Sequence, residues 1–545
     1  MRGSEGVRSA GPTSRETMAT RKLAAFSAGL RPSAVPAAVS TRVQEILLDS
    51  IGNIVRARHD PVSESTAPLL SAVDALELGA GGSSRLVGDG TRCYPAPVAA
   101  LINGTLAHSL DFDDTHGAGS IHCSAPVVPA ALAAAEVAGS TGEELVTAIT
   151  AGFEVMTRLS LSLDPTAHYE RGYHPTATCG VFGAAAACGN LYGLDEKQME
   201  SAFGIALSQS SGTLQFLVDG SWTKRFQVGY ASHSGVIAAT LAREGFVGPI
   251  ESVEGKCGIL STMSPCADVP KASAGLGTQW ETMEVAVKPY PSCRYSHAAM
   301  DGIAELRAAA GVPAGEEWGG VQSVQIGLPA AGMILVAEPL EKRQNPETLV
   351  DGQFSMPFLA SAMLRQGSFG WADFERFLGD PGILETCKIV TPVQDDRVEP
   401  PATNNFAATV QVVTEDGALH ETIVRTTGSP LQQLAVSCAS FRKCASVADS
   451  QGALLPAGAG AVRRAVRLPE RGGADGQVHR PGLAVLRRRG GGGEGHGDGV
   501  LRGGEKPGRR RDDRGFLGHR ALTLWRICIQ LRQAAQRYSN STKHS

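Results

Sequence analysis

The 545-residue chain has no stretch approaching the ~20 consecutive apolar residues that a membrane-spanning helix needs. Its alanine-rich runs, such as "APVVPAALAAAEVAG", are too short and too weakly hydrophobic, so no membrane partner is expected. It also lacks a surplus of positive charge. Fifty Lys and Arg against 54 Asp and Glu leave a formal charge of −4, which excludes the basic footprint of a general nucleic-acid binder. No two of its eleven cysteines are spaced C-x-x-C, which argues against zinc ribbons and local iron–sulfur ligand runs. Thiols scattered in this way read as buried residues of a reducing compartment, so a cytoplasmic location is expected, with a mitochondrial one as the alternative. Asn103-Gly104-Thr105 matches a glycosylation acceptor, but no secretory signal accompanies it and no modification is expected.

Residues 1–20, rich in Arg and Ser, read as an N-terminal extension with Met18 as the natural start. A transit peptide is the alternative, weakened by Glu5 and Glu16. From 21 to 285 the signals are helical. In "VQEILLDSIGNIV", Val43, Leu47, Ile51, Ile54 and Val55 recur at spacings of three and four, and Ser140 to Glu143 reads as a capping box. "CGVFGAAAACGNLYG" predicts a helix of small residues that lets its neighbours approach closely. From 286 to 428 the pattern changes: "VQSVQIGLP" predicts a strand, and "ATVQVVTEDGALHETIVRT" a hairpin about Asp416-Gly417. The helical runs "HAAMDGIAELRAAAG" and "FSMPFLASAMLRQG" fall between these strands. The expected fold is mainly α, a large helical domain with a smaller α+β domain appended. Residues 448–545, Gly- and Arg-rich with no apolar period, read either as an aberrant end from a shifted reading frame or as a disordered tail.

Chemistry concentrates in "LDFDDTHGAGSIHCSA". Together with the preceding His108, the run holds Asp111, Asp113, Asp114, His116 and His122 between apolar helices, with Thr115 among them. A lone histidine is more often a satisfied core or surface group, but a cluster of this density marks a functional site. His108 and Asp111, three apart, would share one face at the end of a helix. Carboxylates with histidines also suit a metal such as Mg, Mn or Fe, yet H-E-x-x-H and EF-hand patterns are absent. The other polar clusters are cationic: Arg171 with His174, Lys224 with Arg225, and Lys288 with Arg294, Tyr295 and His297. Cations beside Gly, Pro and aromatic residues, at the joints between apolar helices, suit an anionic ligand better. A small carboxylate substrate is expected, with no metal.

The motifs "NGTLAHSLDFDDTH", "YHPTATCGVFGAAAACGNLYGL", "TKRFQVGYASHSGVIAA", "KPYPSCRYSHAAMDG" and "DGQFSMPF" together resemble the MmgE/PrpD family. That family contains 2-methylcitrate dehydratases and cis-aconitate decarboxylases. The resemblance runs from about residue 20 to 445 and implies a helical domain, a lid-like α+β domain, a homodimer and no required cofactor or metal. The segment 429–447 is expected to begin a return of the chain to the helical domain. By the resemblance, Asp111, Thr115, His122, His174, Lys224 and Lys288 match active-site positions, and the lid segment with Arg294, Tyr295 and His297, together with Arg225, closes the pocket on the substrate. Asp113 and Asp114 are read as supports for the loop.

Both reactions build negative charge next to a carboxylate, so fixed cations are needed to stabilise it. Lys224 and Lys288 are the candidates, and His122 and His174, titrating near neutrality, would move the protons. The expectation places dehydration of 2-methylcitrate or an alkylcitrate first, and decarboxylation of cis-aconitate to itaconate as the alternative. A metal-dependent hydrolase and an inactive family member are more remote.

Overall fold

Val43, Leu47 and Ile54 are buried on one side of the long helix Ala37–His59, as their spacing predicts. The computed structural model describes residues 18–60, 63–79, 81–89, 92–399 and 406–425. The expectations for residues 1–17, 429–447 and 448–545 lie outside the described residues.

The helical part is built around Ala96–Ala107, Ser124–Ala138, Gly142–Leu163, Pro175–Leu191 and Thr223–Arg243. Thr223–Arg243 packs against Ala96–Ala107 on one side and Pro175–Leu191 on another, and Pro175–Leu191 in turn packs on Gly142–Leu163. Small residues make these approaches possible: a Cβ at Gly183 would lie 2.8 Å from the carbonyl oxygen of Gly152. Gly142–Leu163 opens with a capping box one residue later than expected. Thr141 accepts the Glu144 N–H at 3.3 Å and Glu144 accepts the Thr141 N–H at 2.7 Å. The Asn103 side chain is buried, taking the Val87 N–H at 3.0 Å and donating to the Arg85 carbonyl at 3.1 Å. In the folded protein it is a structural bridge rather than a sugar acceptor.

The α+β part is a four-stranded sheet in the order Val390–Gln394, Val321–Leu328, Ala408–Thr414, Leu419–Val424. The first pair is parallel and the others antiparallel, and Gly417, at φ 82°, sits in the turn expected at Asp416-Gly417. His297–Ala309 packs on the hairpin and Met356–Gln366 on Val390–Gln394. This mainly α architecture with a smaller α+β region is the expected fold class. One continuous hydrophobic cluster runs from Leu23 through Phe182 to Val412, so the helical and α+β parts share a core. We keep the division at residues 285 and 286 as a proposal. No helix among the described residues is long and apolar enough to cross a membrane.

Two connections position the site. The short strand Thr115–His116 pairs antiparallel with Val285–Ala286, with Thr115 opposite Ala286. Gln353, in the "DGQFSMPF" segment, donates its side-chain amide to the Leu110 carbonyl at 2.7 Å. Residues distant in sequence are thereby fastened to either end of the acidic loop.

Candidate active site

The helix Ala96–Ala107 stops one residue short of His108, so His108 and Asp111 do not share a helical face as expected. Asp111 instead adopts φ 50°, in the left-handed region that Asp tolerates better than most side chains. Ser120, farther along the same loop, also has φ 50°. Both line one cleft, and backbone strain of this kind collects at functional sites because surrounding contacts enforce it.

The reversal at Asp111 delivers its carboxylate to two lysines. Lys224, in the first turn of Thr223–Arg243, contacts one oxygen, and Lys288 donates to the other at 3.0 Å and to the Asp111 carbonyl at 2.8 Å. Lys288 arrives through the strand pairing, two residues beyond Ala286, and is only 1% exposed. Burial alone would raise the Asp111 carboxyl, but the two ammonium groups outweigh it and hold it well below the usual carboxylate range. Lys224 also lies over the Phe354 ring, 5.0 Å from its centroid. The result is a carboxylate flanked by two cations, a net positive locus at the base of a cleft.

Three histidines gather beside it. His108 and His122 pack edge to face at 4.8 Å, and His108 and His174 stack at 5.7 Å. The Asp113 Oδ2 lies 2.7 Å from His108 Nδ1 and 3.3 Å from His122 Nδ1. His174 caps the start of Pro175–Leu191, and its Nδ1 lies 3.0 Å from the Gln227 Oε1. Burial first pushes all three imidazoles well below their ordinary range; the Lys224 and Lys288 charges add to it, and on His122 Asp113 opposes it. The expectation of titration near neutrality is therefore corrected: without a ligand these imidazoles are neutral at pH 7. An incoming polyanion would favour their protonation.

The cleft encloses about 530 Å³ of space, solvent at its mouth included. Asp111, Thr115, His122, His174, Lys224, Lys288, Arg294 and Tyr295 all line it. Thr115 presents a buried hydroxyl with no partner among the described residues, free for a ligand. Arg294 is buried over the Phe406 ring, and burial lowers its guanidinium to about 10. Two expected substrate contacts fall outside the cleft. Arg225 follows Lys224 by one helical position, so it points elsewhere and donates to Ser65 Oγ at 3.0 Å. His297 is fully buried behind Arg294, its Nδ1 3.1 Å from the guanidinium and its Nε2 3.1 Å from the Ser292 carbonyl. It orients the arginine.

The remaining acids of the loop are supports. Asp114 accepts the backbone N–H groups of Cys123 at 2.9 Å and Ser124 at 3.0 Å, so it closes the entry to Ser124–Ala138. Burial, with Asp113 nearby, raises its carboxyl to about 7. His116 bridges Glu281 and the Gly119 N–H, away from the chemistry. Sequence reasoning missed Gln227, although it lies three residues after Lys224 on one helix face. It also missed Tyr169 and Ser120, joined at 3.0 Å through the Ser120 carbonyl, which no local pattern marks.

His108, Asp113 and His122 offer ligand atoms within 4.8 Å of one another, a donor set that suits a divalent metal. In this structure Asp113 Oδ2 bonds His108 Nδ1 at 2.7 Å and lies 3.3 Å from His122 Nδ1, which makes no hydrogen bond among the described residues.

A mainly helical protein with a smaller α+β part and a cleft of paired lysines and neutral histidines is the class that fold and site define. The chain belongs to the MmgE/PrpD family: the N-terminal domain model matches residues 21–271 and the C-terminal domain model residues 290–436. It is 28% identical to the cis-aconitate decarboxylase-like protein oryM of Aspergillus oryzae over 373 residues, 65% of this chain and 75% of that protein. It is 25% identical to a cis-aconitate decarboxylase of Aspergillus terreus over 428 residues, 76% of this chain and 85% of that protein. The human cis-aconitate decarboxylase is 30% identical over 221 residues, 39% of this chain and 45% of the human protein. Members of this family are lyases of small carboxylates.

Proposed function

We propose that the protein is a carbon–carbon lyase that decarboxylates cis-aconitate or a closely similar unsaturated tricarboxylate. The observation that carries this reading is the Lys224–Asp111–Lys288 arrangement, walled by Thr115, His122, His174 and Arg294. Dehydration of 2-methylcitrate, placed first on sequence grounds, becomes the second reading, because the relatives that align along most of the chain carry the name of the decarboxylase.

In the proposed reaction the bond between the methylene carbon and its carboxylate breaks, and carbon dioxide leaves. The electron pair forms a new double bond to the central carbon. The pair of the old double bond then takes a proton at the former alkene carbon, giving itaconate. Negative charge builds on the carboxylates conjugated to that allylic system, and cations already fixed in place stabilise it without reorganisation. Lys224 and Lys288 hold the substrate carboxylates, competing with Asp111 for them. Arg294 holds the far carboxylate, Thr115 donates a hydrogen bond, and a histidine supplies the proton. We extend the reading to a homodimer without metal or cofactor.

The test is a substrate panel of cis-aconitate, 2-methylcitrate and citrate followed by NMR. Itaconate from cis-aconitate is the expected product. Water loss from 2-methylcitrate with cis-aconitate untouched would overturn the reading in favour of the dehydratase.

A further inference from the structure

The two cleft histidines are held by anchors of different charge. His122 Nδ1 is sealed from solvent, makes no hydrogen bond among the described residues, and lies 3.3 Å from the Asp113 carboxylate. His174 Nδ1 faces a neutral amide, whose orientation is set because Gln227 also donates its side-chain N–H to the Thr213 carbonyl at 3.0 Å. The amide oxygen therefore accepts from His174, which makes His174 the Nδ1–H tautomer when neutral. A carboxylate stabilises an imidazolium by direct charge attraction, whereas an amide oxygen supplies only a dipole.

From this asymmetry we infer that Asp113 is a positioning residue that makes His122 the proton donor to carbon, while His174, buried and anchored only by the Gln227 amide dipole, stays neutral through the cycle. The inference rests on the lyase reading for its chemistry and goes beyond it in dividing the labour between two otherwise similar histidines. Asp113 is suited to the task by its second contact. Its Oδ2 also takes His108 Nδ1 at 2.7 Å, so the carboxylate is fixed from behind and cannot swing into the cleft. The groups that face His122 are Asp113, His108, Lys288, Lys224 and Asp111. Those that face His174 are Gln227, His108, Lys224 and His168. Of these two histidines, His122 alone has a carboxylate at its Nδ1. When substrate carboxylates neutralise the lysines, the balance of charge at His122 turns negative and its imidazolium becomes accessible. In the step itself His122 gives its Nε2 proton to the former alkene carbon: an N–H bond breaks, a C–H bond forms, and the neutral imidazole regains a proton from solvent after product leaves.

The sign follows directly. If protonated His122 is required in the complex, kcat falls as pH rises through its pKa. Asp113→Asn preserves shape and the acceptor oxygen but removes the counter-charge, so this alkaline limb should move to lower pH by about one unit or more. At pH 7 kcat should fall at least about ten-fold, with KM changed far less. Gln227→Leu should lower kcat but leave the alkaline limb in place. Equal displacement of the limb by both variants, or none with Asp113→Asn, overturns the inference.

A second measurement uses the wild-type chain and survives a variant that fails to fold. Imidazole-labelled protein is titrated by NMR with tricarballylate, a saturated tricarboxylate that has no double bond to rearrange. The bound complex at pH 7 should show His122 as imidazolium and His174 as the neutral Nδ1–H form, with assignments from His122→Gln and His174→Gln. The reverse pattern, or two neutral rings, sinks the proposal. Wild-type protein that turns over no carboxylate would instead count against the lyase reading.

Discussion

Lys288 and Lys224 hold the same carboxylate, yet the two should respond differently to substitution. Lys288 is buried with Asp111 as its partner, while Lys224 retains some solvent contact. Removing one member of a buried pair strands the other, so Lys288→Met is expected to cost about 3–5 kcal/mol of stability. Lys224→Met should destabilise much less, yet lower kcat by ~10²–10³ through lost charge stabilisation. Thermal melts and turnover of both variants check the split. The loop acids and histidines were visible as a dense polar cluster, but their separate jobs were not. Asp111, Asp113 and Asp114 are the same residue type within four positions, and each faces a different partner because the backbone reverses at Asp111.

The pH dependence of stability is also set by single residues. His108, His122 and His174 have folded-state pKa values pushed below the unfolded value of ~6.5. Each therefore contributes stability that is present above ~6.5 and is lost as pH falls through its folded pKa. Asp114, raised to about 7, works in the opposite direction, with its penalty relieved as pH falls from 7 towards 4. Three groups against one predict a lower unfolding midpoint at pH 5 than at pH 7 in ligand-free protein. His108→Gln should flatten that slope; an unchanged slope in the variant would contradict the assignment.

At the scale of elements, periodicity and small-residue content were enough to place the helices Ala37–His59 and Pro175–Leu191 and the Ala408–Val424 hairpin. Alternation and 3.6-residue spacing are local properties and survive without tertiary information. Helix ends were less legible: the cap of Gly142–Leu163 moved by one residue because Thr141, rather than Ser140, reaches its own third residue on. Contact between helices supplies the prediction here. Gly183→Val places a branched side chain where a Cβ already meets the Gly152 carbonyl, and should destabilise the bundle by ~1–3 kcal/mol or more. Chemical denaturation of the variant measures it.

For the molecule as a whole, Phe226, Tyr230 and Leu241 form an exposed stripe on Thr223–Arg243, with Phe226, Tyr230 and His233 stacked in succession at 5.9 and 5.8 Å. The opposite face of this helix is packed in the core and carries Val228 and Val236. A homodimer formed across the stripe predicts that Tyr230→Glu shifts sedimentation towards monomer, with the helical content unchanged. The proposed independence from metal makes a separate prediction: dialysis against a chelator leaves the turnover of cis-aconitate unaltered. Loss restored by Mn or Fe would assign the His108–Asp113–His122 group a metal after all.

What the sequence determined by itself was the class: a mainly α chain with an α+β region, and a set of acids, histidines and cations whose ordered motifs mark one family. These follow from local spacing and from which residue types occur together. Only the tertiary structure decided which of those residues meet. Lys224 and Lys288 lie 113 and 177 positions from Asp111, and reach it through a helix start and a two-residue strand pairing. Arg225 and His297, equally plausible as charged or titratable groups in the same motifs, are turned away by one step of helical rotation and by burial behind Arg294. The charge of a histidine was likewise beyond local reading, because it depends on the desolvation and the anchors that only folding brings to the ring.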